Sequence, residues 1–108
     1  MRLRCLIVDT NPETRTRLES LARDLPEMDV QCLSRFDDAE TAVQSRCPNL
    51  IILRFADSDL TGERVLKAIR LVKMGPVIIA LFARPNPDHI KTLVRRWGIM
   101  DVLTDDAD

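Results

Sequence analysis

The stretch NLIILRFADSDLTG, Asn49 to Gly62, decides the fold. Leu50, Ile51, Ile52 and Leu53 are apolar without alternation, the pattern of a strand buried on both faces, as in a parallel sheet. Arg54 follows directly, at the carboxyl end of that strand, where open α/β sheets place their ligands. A polar loop and then a helix from about Thr61, with Val65, Leu66, Ile69 and Val72 on one face, complete a strand-loop-helix unit.

The same unit repeats on either side. Leu3 to Val8 reads as a strand, and Asn11-Pro12 as the cap and first residue of a helix carrying Leu18, Leu21, Ala22 and Leu25 up to Pro26. Met28 to Leu33 reads as a weaker strand. Asp37 with Glu40 looks like a capping box for a helix bearing Ala39, Ala42 and Val43, which Cys47-Pro48 stops. After Gly75-Pro76, Val77 to Phe82 is the most apolar run. Asn86-Pro87 then opens a helix with Ile90, Leu93, Val94 and Trp97 on one side, and Gly98 closes it before a short strand, Ile99 to Leu103. Parallel neighbours need crossover helices, so this alternation predicts an α/β doubly wound sheet of five parallel strands in order 2-1-3-4-5.

Composition narrows the function. The 108 residues fit one domain, and 16 Lys and Arg against 17 Asp and Glu leave a net charge of -1, so no global field draws the chain to nucleic acid or an anionic membrane. The apolar runs are too short to span a bilayer, and Met1 leads into a strand rather than a signal peptide; a cytoplasmic location is expected. Cys5, Cys32 and Cys47 are widely spaced and read as reduced, mostly buried thiols, with no zinc spacing. Three glycines build no phosphate-cradling loop after the first strand, which argues against a dinucleotide enzyme. The single histidine, His89, near the start of a helix, reads as solvent-facing.

Read in order, CLIVDTNPETRTRLESLA, PNLIIL, DLTGERVLKAIR, PVIIALFA and WGIMDVLTDD resemble the receiver domain of two-component response regulators, over nearly the whole chain. The resemblance implies a flavodoxin-like fold. It also implies a site of five residues: two acids after strand one that help hold Mg²⁺, a phosphoacceptor aspartate after strand three, a Thr or Ser after strand four and a lysine after strand five. Here Asp9 matches the first acid, but Thr10, Arg54, Phe82 and Asp105 stand at the other four positions. The strand-five aromatic is Val102, and Ser58 stands where a proline is usual, though Gly62 is kept.

Arginine forms no acyl phosphate, and its charge opposes Mg²⁺. The expected activity is therefore a phosphorylation-independent pseudo-receiver, a protein-protein interaction or dimerisation module in bacterial signal transduction, with no enzymatic activity, no metal and no cofactor. The pair of acid after strand three and lysine after strand five is reversed in sign, which suggests a guanidinium of Arg54 bridging Asp9 and Asp105; otherwise Arg54 swings into water. The alternative function is a still-phosphorylatable receiver that uses Asp57 or Asp59 with Mg²⁺.

A receiver has a fifth helix beside the first, and this sequence stops five residues after the last strand. The expectation is a domain over residues 1–108, truncated before that helix and N-terminal in a longer protein with a C-terminal output domain; without the helix, apolar side chains on that face would be left facing water. The fourth helix and fifth strand are the expected partner or homodimer surface, through Arg84, Lys91, Arg95, Arg96, Trp97 and Asp101. Direct nucleic-acid binding is not expected, since four cations with acid nearby make a weak footprint.

Overall fold

The computed structural model describes residues 3–55, 61–70, 75–83 and 87–104. The elements run β1 (Leu3–Val8), α1 (Pro12–Arg23), β2 (Met28–Leu33), α2 (Phe36–Arg46), β3 (Leu50–Phe55), α3 (Thr61–Arg70), β4 (Val77–Phe82), α4 (Pro87–Trp97) and β5 (Asp101–Thr104). The strands form one parallel sheet in the order β2-β1-β3-β4-β5. That is the order expected from the strand and helix alternation.

Local chemistry accounts for most boundaries. Asn11 caps α1 by accepting the Glu13 N–H, and Pro12 supplies a first residue that needs no donor. α2 starts differently from the expected capping box. Its N-cap is Arg35, no side chain caps it, and Asp37 and Asp38 lie inside the first turn, where their charge favours the positive end of the helix dipole. It ends at Cys47, whose φ of 46° is left-handed; Pro48 follows and disfavours the right-handed α region at the residue before it. Gly98, at φ 68°, turns the chain out of α4.

Two strand ends depart from the sequence reading. β3 continues through Arg54 and Phe55, because both pair with β4, opposite Leu81 and Phe82. β5 begins at Asp101 rather than Ile99. Ile99 is instead a buried core residue, and the Met100 N–H donates to the Ile78 carbonyl ahead of the strand.

The two sheet faces are covered unequally. α2, α3 and α4 pack on Leu6, Val8, Leu53, Phe55, Ala80 and Phe82, and the helices add Val43, Val65, Leu66, Ile69 and Leu93 to a continuous core. The opposite face holds a smaller cluster, Cys5, Ile7, Ile52 and Leu81, against which α1 lays Leu18 and Ala22. No α1 residue is fully buried, and Leu21 is 61% exposed. A groove of about 170 Å³ separates α1 from β4 and β5, lined by Leu18, Leu21, Leu81, Leu103 and Arg17 among others. Leu21 and Leu103, which line it, are exposed.

The cysteines are graded rather than mostly buried: Cys5 is buried, Cys32 half-buried and Cys47 exposed, all free thiols. Burial pushes both the Cys5 and the Cys32 thiol up to about 11, with the Glu19 carboxylate beside Cys32 adding to its rise. No helix among the described residues is long and apolar enough to cross a membrane.

Candidate functional site

The carboxyl ends of β1 and β3 bring together Asp9 and Arg54, 45 residues apart in sequence. Asp9 follows the last residue of β1 and is 0% exposed; Arg54, the fifth residue of β3, is 6% exposed. Ile7 is paired with Ile52 and Val8 with Leu53, which aligns the ends of the two strands. Side chains alternate along a strand, so Arg54 shares the α1 face with Ile52 while Leu53 and Phe55 enter the core opposite.

The pair is forked. Arg54 Nε donates to Asp9 Oδ1 at 2.9 Å and Nη2 to Oδ2 at 3.4 Å. Two further donors come from the first turn of α1 and the residue that caps it: the Asn11 N–H reaches Oδ1 at 2.9 Å and the Thr14 hydroxyl reaches Oδ2 at 2.5 Å. Thr14 also accepts from Arg54 Nη2 at 2.9 Å, which closes a triangle of Asp9, Arg54 and Thr14. Arg15 Nη1 donates to the Asp9 carbonyl at 3.0 Å. A carboxylate offers about four lone-pair directions, and four donors converge on this one. Buried charge of this kind is tolerated only when paired and hydrogen-bonded.

These residues do not fit a Mg²⁺ ion. A hard divalent cation wants free carboxylate oxygens, whereas both Asp9 oxygens face donors and the nearest charge is a guanidinium. Thr10, exposed after Asp9, adds no carboxylate. Among the described residues no group of three His, Cys, Asp or Glu side chains is placed to share a metal.

Phe82 ends β4, 1% exposed, and stacks on Phe55 with ring centroids 5.5 Å apart and planes 17° from parallel. His89 sets its ring edge-on to both, 5.7 Å from Phe82 and 6.5 Å from Phe55. It is therefore half-buried on an aromatic pair rather than solvent-facing, because α4 lies over the end of β4. Where a hydroxyl would face the site, phenyl rings fill the core.

Of the other residues singled out from the sequence, Lys91, Arg95 and Arg96 are exposed on α4 and Asp101 is exposed at the start of β5, where its carboxylate accepts the Val102 N–H. Trp97 is half-buried against the core, as its spacing suggested. Asp57, Ser58, Asp59, Arg84 and Asp105 lie outside the described residues, as does Val72, and with Asp105 goes the second half of the expected bridge. The sequence reading missed Thr14 and Arg15. Their signal was position: the opening turn of a helix that follows β1 returns over the carboxyl end of β1.

No protein-family model matches the chain, and no curated protein matches it. Solved structures do. The chain is similar to the signal receiver domain of a Luxo repressor protein from Vibrio parahaemolyticus, at 24% identity and a TM-score of 0.86, covering 100% of this chain and 82% of that one. The signal receiver domain of an HD domain-containing protein from Pseudomonas fluorescens Pf-5 aligns at 22% identity and a TM-score of 0.83, over 100% and 86%. The chemotaxis protein CheY4 of Vibrio cholerae aligns at 20% and 0.82, over 100% and 90%. The fold is that of response-regulator receiver domains.

Proposed function

We propose that this chain is a receiver-type domain of bacterial two-component signalling in which a fixed internal ion pair stands where phosphoryl transfer would occur, and that it works as a phosphorylation-independent interaction module. The observation that carries the reading is the forked Arg54–Asp9 pair, closed by Thr14 and nearly inaccessible to water. Phosphoryl transfer on such a fold needs a carboxylate nucleophile and a cation that offsets the charge on the transferred group. Arg54 supplies no nucleophile. It also engages the acid that would face a metal.

The buried Phe82 ring supports the same conclusion, since it has no hydroxyl with which to follow a phosphoryl group. With no chemistry at the site, output depends on what the domain touches. Lys91, Arg95 and Asp101 are exposed on α4 and β5 beside Val94 at 43% and Met100 at 69% exposure, a mixed charged and apolar surface suited to a second copy or a protein partner. An output domain attached in the parent protein and a cytoplasmic location belong to this reading.

The test is a ¹⁵N-resolved NMR titration of the chain with Mg²⁺ and beryllofluoride, an analogue of the phosphoryl group. Amides of Asp9, Arg54 and Phe82 are expected to stay in place at millimolar ligand. Saturable shifts that vanish in Asp57→Asn or Asp59→Asn would replace this reading with a phosphorylatable receiver whose acceptor has moved.

A further inference from the structure

The carboxyl-terminal turns of α3 and α4 concentrate positive charge. α3 ends with Lys67 and Arg70, α4 with Arg95 and Arg96, and all four side chains are exposed. The two helix ends touch: Arg70 Nη2 donates to the Arg96 carbonyl. Cations at helix C-termini are ordinary, because they offset the negative end of the helix dipole. What that effect does not require is their convergence on one ring. The Arg70 guanidinium lies over the Trp97 indole, 4.0 Å from its centroid, and the Arg96 guanidinium is 5.5 Å from the same point.

Two like charges thus share one aromatic ring, and none of the ion pairs among the described residues involves Lys67, Arg70, Arg95 or Arg96. Stacking on the indole and the bond to the Arg96 carbonyl hold the Arg70 plane in place, so little side-chain freedom is left to lose on binding. Most of its five N–H donors remain for a ligand, in the planar fork that matches a carboxylate.

We propose that Arg70 and Arg96, mounted on Trp97, form a carboxylate-binding site through which this face docks an acidic segment of a protein partner. A nucleic acid fits less well. The ring that would stack a base already carries Arg70, and a chain of net charge -1 lacks the extended positive field that tracks a phosphate backbone. The site is at the opposite end of the strands from Asp9 and Arg54, and the proposal does not depend on how that pocket is read.

Trp97 is the only tryptophan in the chain, so its fluorescence reports the site without a label. The full chain is titrated at low salt with a blocked octaglutamate peptide. A saturable change in emission is expected, with Kd raised about tenfold or more in Arg70→Gln, by a smaller factor in Arg96→Gln, and not at all in Arg17→Gln on α1. Arg70→Lys keeps the charge without the fork and is expected to lose most of the same affinity. No saturable change, or an unchanged Kd in Arg70→Gln whose far-ultraviolet circular dichroism matches the parent, overturns the site. Equal or tighter binding of octathymidylate overturns the choice of partner.

Discussion

Arg54 and Phe55 are neighbours in β3 and face opposite sides of the sheet. Arg54 meets Asp9 and Thr14 beneath α1; Phe55 stacks on Phe82 beneath α4. The same edge of the sheet is therefore closed by charge on one face and by rings on the other. The two closures differ in kind. Each ring contributes its own burial and would do so without its partner. Each charge is tolerable at its position only because the other is present.

Removing one charge is expected to have the largest effect. Asp9→Ala leaves Arg54 buried without its carboxylate and is expected to cost about 3–5 kcal/mol in urea unfolding. Replacing both charges, as Asp9→Leu with Arg54→Met, is expected to return stability to within about 1–2 kcal/mol of the parent, because the desolvation penalty of both ions disappears with them. A double variant as unstable as Asp9→Ala would show that the pair is not conditional in this sense. On the ring side, Phe82→Leu is expected to cost about 1–2 kcal/mol through lost packing, with no such rescue by a second change at Phe55.

The smallest effect concerns the apolar part of the α1 face. With the Cys5 and Cys32 thiols pushed up to about 11, exposed Cys47 is expected to react first with a disulfide reagent at pH 8. A thiol whose pKa is raised by folding favours the folded state while it is protonated. That contribution is complete below the unfolded value near pH 9 and fades as pH rises toward 11. Equal reactivity of all three thiols would mean that α1 opens readily from the sheet.

Much of this architecture was legible in advance because apolar runs and Asn-Pro or Gly-Pro punctuation coincide with it. β1, β2 and β4 lie where their runs lie, and Asn11 caps α1. The misreadings share a physical cause. Arg54 reads as a boundary because a charge in an apolar run signals exposure, and only its partner 45 residues away makes it compatible with a buried strand. Ile99 reads as strand because burial alone does not distinguish a strand from a buried connection. Asp37 and Glu40 have the spacing of a capping box, yet the helix begins two residues too early to use it, with Arg35 at the N-cap. Half of the candidate site was likewise legible: Asp9 as the acid after the first strand, and Arg54 as a cation where the resemblance expects an aspartate. Thr14 was not, because its role depends on how α1 returns across the sheet.

The buried pair has a consequence for how the chain avoids mispairing. Ile51, Ile52 and Leu53 are apolar on both faces, as are Leu6, Ile7 and Val8 of β1, so a slip of β3 by one residue would exchange one set of hydrophobic contacts for another of similar worth. Arg54 removes that degeneracy. A one-residue slip would drive the guanidinium into the aromatic layer and strand Asp9 against a phenyl ring, two buried charges with no counterpart. An interaction whose net contribution to stability is small can thus separate the right alignment from the nearest wrong one by the full cost of burying bare ions.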